Sequence, residues 1–238
     1  MKTKDLSNQI SATYKMLRLG VAVIAFAFPL LLWVGGHLFA GLPLAGSMSA
    51  YYYTVMRDTF VGLLFAVGVI LFVYQGYTRF EDWALNLAGG LALGIALFPM
   101  ALPSKPSHNP FSLHGVCAVS FFLCIAYVCI FRASDTLSLI HDRGTRYCYR
   151  RWYKFLGCAM VGLPVIAWIL ISNMPGQKSA IFFVELVGIY VFAMYWVVKS
   201  HEVRQTDSDR KAALGKLHVE PHGLSGAVRT LSITSADD

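Results

Sequence analysis

Charge is what this sequence has least of. Only 14% of its 238 residues are Asp, Glu, Lys or Arg, against 56% hydrophobic, whereas a soluble globular domain carries roughly 25% charged residues. A water-soluble fold of this length is excluded on that ground. Cysteine is sparse as well. Cys117, Cys124, Cys129, Cys148 and Cys158 include no CxxC pair, and three of them share one apolar run, so neither a disulfide framework nor a zinc ribbon is supported. Cys117 and Cys124 read as small packing residues. The chain has no P-loop, no GxGxxG after a strand, no HExxH or HxxxH within an apolar run and no histidine pair at haem spacing. Kinase, nucleotide-binding and redox classes therefore lack support. The net charge of +7 does not point to nucleic acid, because the basic residues flank apolar runs and form no motif of a nucleic-acid-binding fold.

What is present is a series of apolar runs over residues 19–42, 59–77, 83–102, 111–131, 155–174 and 180–198. The first would be about 36 Å long as a helix at 1.5 Å per residue, and a hydrocarbon core is about 30 Å thick. It is too long for the apolar region of a cleaved signal peptide, about 7 to 15 residues, so it reads as a retained helix. The expected architecture is all-α, a six-helix transmembrane bundle over residues 19–198, preceded by a cytoplasmic segment 1–18. Residues 199–238 turn polar and are expected to be a mostly disordered cytoplasmic tail. His218 and His222 in that tail are separated by Pro221, which breaks the helical face a paired metal ligand needs.

Lys and Arg set the expected orientation. Of 20 such residues, only Arg57, Lys105 and Lys178 fall in the connections of one side. This positive-inside bias places both termini in the cytoplasm. Pro29 and Pro164 are expected to kink the first and fifth spans, and Asn109 with Pro110 to cap the start of the fourth. Ala88, Ala92 and Ala96 form one small-residue row and Gly90 and Gly94 the next, so the third span should pack centrally. Between the fourth and fifth spans, Arg143, Arg146, Arg150, Arg151 and Lys154 interleave with Tyr147, Tyr149, Trp152 and Tyr153. Such a basic aromatic helix beside a membrane favours anionic lipid headgroups, at about 1 kcal/mol per basic residue, and also serves as a topological anchor.

The densest group of hydroxyls, phenols and charge outside the basic faces is the stretch from Ser47 through Ser49, Tyr51, Tyr52, Tyr53 and Arg57 to Asp58. It joins the first two spans on the outward side. His37, His114 and Glu185 lie about 5 to 8 Å inside the same side of their spans by helical rise. Ionisable groups at that depth face partners or wet cavities, since even a lenient scale charges about 2.5 to 3.5 kcal/mol for them. The candidate ligand-binding set is Ser47, Ser49, Tyr52, Arg57, Asp58, His114 and Glu185. Arg57 is a possible partner for Glu185. Asp58 also reads as a carboxylate at a helix N-terminus, and the tyrosines as an interfacial belt.

The run Ser49, Ala50, Tyr51, Tyr52 and then Arg57, Asp58, Thr59, Phe60, Val61, Gly62, followed by Gly76, Tyr77, Glu81, Asp82 and later His114, Gly115, resembles a group of uncharacterised bacterial six-helix membrane proteins. It is more distantly similar to the FRAG and DRAM type, through Pro43, Ser47, Ser49 and Asp58. The resemblance implies a six-span bundle in a bacterial inner membrane, with a role in lipid handling. Three functions compete: binding of a lipid or other amphipathic molecule at the outward site, with no cofactor; a metal-assisted intramembrane hydrolase using His37, Asp58 and His114; and a small ion-coupled transporter or channel using Glu185 and Asp58. The transporter reading lacks an ionisable residue at the midplane and repeated halves.

Overall fold

The computed structural model describes residues 3–101, 112–173 and 180–217. Asn109, Pro110, Lys105, Lys178, His218 and His222 lie outside the described residues. The described residues form helices and their connections, with no strand. The elements are α1 (Thr3–Ala40), a 3-10 turn (Ser49–Tyr53), α2 (Arg57–Val73), α3 (Arg79–Leu97) and α4 (Leu113–Tyr127). A π-helical turn (Val128–Arg132) continues α4, and a 3-10 turn (Asp135–Leu139) leads to α5 (Arg143–Asn173), α6 (Ala180–Thr206) and α7 (Ser208–Ala213). Three stretches, Lys4–Ala40, Leu113–Leu139 and Ile181–Thr206, are long and apolar enough to cross a membrane. The chain is therefore read as a membrane protein.

Local sequence sets where these helices stop and start. α1 ends because Gly41 adopts a left-handed φ of +60°. The Gly41 amide then donates to the His37 carbonyl at 2.8 Å and the Leu42 amide to Gly36 at 3.1 Å, which satisfies carbonyls left open at the helix end. α3 begins with a variant of the capping box: the Thr78 hydroxyl accepts from the Glu81 amide at 3.3 Å, and the Glu81 carboxylate reaches one residue past the cap to accept from the Tyr77 amide at 2.9 Å. α4 is capped by Ser112, whose hydroxyl accepts from the Gly115 amide at 3.1 Å. Asp207, at φ 53°, reverses the chain between α6 and α7.

Several boundaries differ from expectation. α1 starts at residue 3, so Lys4, Lys15 and Arg18 ride on the helix and not on a separate leading segment. α5 is one helix of 31 residues that unites the basic aromatic stretch with the fifth apolar run, and it continues through position 164. Residues 199–206 extend α6 and residues 208–213 form α7, so this part of the expected disordered tail is ordered helix. It is ordered because its polar side chains have buried partners, described below; the rest of the tail, from 218, lies outside the described residues.

The six long helices pack in chain order, and α6 closes against α1. The middle is filled by rings. Trp196 lies 5.1 Å from Tyr74 and 5.2 Å from Tyr195, centroid to centroid, and Phe192 lies 5.4 Å from Phe121. These edge-on arrangements suit the aromatic quadrupole. α2 and α3 approach backbone to backbone: a Cβ on Gly89 would lie 2.7 Å from the Gly68 carbonyl oxygen. Ala88, Ala92 and Ala96 are buried as expected from their row. In the neighbouring row the contact is made by Gly89 and Gly94, the latter against the Cys117 sulfur, while Gly90 has open space beside it.

Candidate functional site: a serine and histidine layer opposite the start of α1

The connection between α1 and α2 is held in place by burial and by backbone. Met48 and Tyr51 are 2% and 1% exposed, and the Tyr51 ring packs under Gly36 of α1 and beside Phe182 of α6. The Phe182 amide donates to the Gly46 carbonyl at 3.1 Å. Ser47, just before the 3-10 turn, accepts from the Ala50 amide at 3.1 Å. The segment therefore presents its hydroxyls from a fixed frame.

Two spans reach that frame with polar side chains. From α6, Glu185 accepts from the Met48 amide at 2.5 Å. From α4, His114 places Nε2 2.8 Å from the Ser49 hydroxyl and Nδ1 2.8 Å from the Phe98 carbonyl oxygen. A carbonyl only accepts, so Nδ1 of the neutral ring carries the proton and Nε2 faces Ser49 with its lone pair. The Ser49 O–H therefore donates to His114. His114 is 7% exposed and Ser49 is half-buried. The Tyr53 hydroxyl donates to the Met100 carbonyl at 2.6 Å, which ties the end of α3 to the same segment.

Of the candidate residues, Ser47, Ser49, His114 and Glu185 thus share one short segment. Tyr52 and Arg57 form a separate pair: the guanidinium lies 4.9 Å over the Tyr52 ring and donates to its hydroxyl at 3.3 Å. Arg57 does not partner Glu185, which accepts from the Met48 amide instead. Asp58 and His37 are exposed. Asp58 sits in the first turn of α2, where a carboxylate favours the helix dipole. Among the described residues no three His, Cys, Asp or Glu side chains could hold a metal ion together, so His37 and Asp58 do not complete a ligand set with His114.

The opposite end, where α1 begins and α6 finishes, holds a buried ionic network built from residues whose charge in the sequence points only to membrane orientation. Arg18, 1% exposed, binds Asp209 of α7 through two hydrogen bonds of 3.0 and 2.5 Å. The Tyr77 hydroxyl donates to the same carboxylate at 2.5 Å. Beside it Lys199 bonds Glu202 and Thr136, each at 2.8 Å, and Tyr153 donates to Glu202 at 3.1 Å. Arg132 and Asp135 form a third buried pair. Burial of charge requires such pairing. The signal was available in two i,i+3 pairs, Arg132 with Asp135 and Lys199 with Glu202. A cavity of about 490 Å³ opens at this end, lined by Tyr14, Gln75, Tyr77 and Asp209 among others.

Along the start of α5, Trp152 and Phe155 are 45% and 63% exposed, and the Arg151 guanidinium lies 5.8 Å over the Tyr147 ring. Arg143 and Lys154 are exposed and Arg150 is half-buried. Arg146 turns inward to donate to the Ile140 carbonyl at 2.5 Å, which removes it from the outward basic face.

No protein-family model, curated protein or solved structure matches this chain.

Proposed function

We propose that this chain is a six-span protein of the bacterial cytoplasmic membrane, with both termini cytoplasmic, that binds a lipid or similar amphipathic molecule at the site opposite its termini. The observation that carries the reading is the convergence of Ser47, Ser49, His114 and Glu185, from three stretches far apart in sequence, on one short segment. Next to this polar layer the Arg57 cation is exposed, while Leu38, Phe39 and Val55 at the same end are 72%, 80% and 63% exposed. A ligand with an anionic head and an apolar tail would match both surfaces. The resemblance to the FRAG and DRAM type agrees with it. At the other end, Arg143, Arg150, Arg151 and Lys154 would meet anionic headgroups of the cytoplasmic leaflet, flanked by Trp152 and Phe155 as interfacial rings.

Native mass spectrometry of the protein released from lipid nanodiscs tests the binding. A retained lipid that is lost in Arg57→Ala, with unchanged folding, is the expected result, and a protein that is lipid-free under the same conditions rejects the reading. Reporter fusions test the topology: position 140 and the C-terminus should report cytoplasm and position 107 the other side.

A further inference from the structure

The bond between Ser49 and His114 points beyond binding. We propose that Ser49 is the nucleophile, and His114 the general base, in hydrolysis of a carboxylic ester carried by the amphipathic molecule at this site; the inference rests on the lipid-binding reading for its substrate.

A serine hydroxyl is a weak nucleophile until a base takes its proton, and the base works only if a third group fixes its orientation. All three parts are present. The hydroxyl is half-buried and the imidazole is almost fully shielded. Nε2 meets Oγ at 2.8 Å, and the Phe98 carbonyl holds the opposite nitrogen at 2.8 Å, which selects the tautomer a base needs. A serine opening a 3-10 turn ordinarily turns its hydroxyl to a backbone amide two or three residues on. Here Ser47 fills that role on the Ala50 amide, and Ser49 is left to the histidine. The three residues come from the α1 to α2 connection, from α4 and from the end of α3, so the arrangement is not a by-product of one helix.

The chemistry balances without a cofactor. Ser49 Oγ attacks the ester carbonyl carbon as its proton passes to His114 Nε2. The new Oγ–C bond forms, the carbon to alkoxide-oxygen bond breaks, and the leaving alcohol takes the proton from Nε2. Water then attacks the acyl-serine, giving one proton to His114 and releasing the carboxylic acid; that proton returns to Oγ. Ester and water become acid and alcohol, and Ser49 and His114 are restored. The exposed Arg57 suits an anionic headgroup on the alcohol part, and the apolar surface of α1 suits the acyl chain.

The full-length protein in nanodiscs is treated with a fluorophosphonate probe and the labelled peptide located by mass spectrometry; fatty acid release from phosphatidylglycerol vesicles is followed in parallel. Ser49 should be labelled, Ser49→Ala should be unlabelled, and His114→Gln should slow labelling by about a hundredfold. Ser49→Cys keeps the site's size and should be alkylated by iodoacetamide at a rate that His114→Gln lowers, which guards against a variant that merely misfolds. An unlabelled Ser49 in protein that retains lipid overturns the inference and leaves the binding reading standing. A labelled Ser49 without bound lipid and without fatty acid release removes the lipid ester as substrate and overturns the proposal as stated.

Discussion

Arg18 and Asp209 stand 191 positions apart in sequence and meet through both arms of a guanidinium, with side chains 2% and 5% exposed. A buried pair of this kind contributes little relative to an apolar replacement, but removing one partner strands the other charge. Asp209→Ala is therefore expected to cost about 3 to 5 kcal/mol, and replacing both residues by apolar ones of similar size to recover most of it. Thermal unfolding in detergent followed by tryptophan fluorescence checks this. A loss in the double variant equal to the sum of the two single losses would show that the pair is not coupled.

The α2 to α3 contact gives a sharper contrast between neighbours. Gly89→Ala drives a methyl against the Gly68 carbonyl at 2.7 Å, and overpacking of this sort costs about 1 to 3 kcal/mol. Gly90→Ala meets nothing within 4 Å and should be neutral or stabilising by about 0.5 to 1 kcal/mol from its lower backbone entropy. Both are read as shifts in midpoint on the same unfolding trace.

Glu185 is expected to act on its segment through one oxygen. Glu185→Gln keeps an acceptor for the Met48 amide, whereas Glu185→Ala leaves that buried amide without its partner, a loss of about 1 to 3 kcal/mol. Hydrogen exchange should show the Met48 amide still protected in Gln and exposed in Ala. Identical exchange in the two variants would mean that the carboxylate does not hold the segment.

Asp142 caps α5, accepting from the Thr145 amide at 2.7 Å and the Gly144 amide at 3.3 Å. Hydrogen bonds from Thr145, with those from Gly144, hold its carboxyl below the ordinary value of 3.8. A depressed carboxylate stabilises the fold above its unfolded pKa and loses that contribution as pH falls through the folded one. The protection of the Gly144 and Thr145 amides, measured against their intrinsic exchange, should thus be constant above about pH 4 and fall, relative to neighbouring amides, only in more acid solution. In Asp142→Ala that relative fall should vanish.

Apolar runs made the helices legible, because a run of about 20 residues has few alternatives in a membrane. Their ends were harder to read: α1 and α6 both extend past their apolar stretches, carried by Arg18, Lys199 and Glu202, whose burial depends on partners elsewhere in the chain. The candidate site was legible residue by residue and not as a pairing. Ser49 and His114 stood out as polar groups near one side, but the Phe98 carbonyl that orients the histidine is backbone, and no side-chain pattern announces it. Arg57 was the natural partner for Glu185 by charge, and the nearer Met48 amide displaced it.

Closure of α6 on α1, with Asp209 locking Arg18, also sets an order of assembly. At a synthesis rate of about 5 to 20 residues per second, roughly 10 to 40 s separate the emergence of Arg18 from that of residue 209. Through that interval the guanidinium has to be kept wet, or held by headgroups, at the membrane surface. α1 is consequently completed late, and a nascent chain arrested before α7 leaves Arg18 without its Asp209 carboxylate even where α6 has already packed on α1.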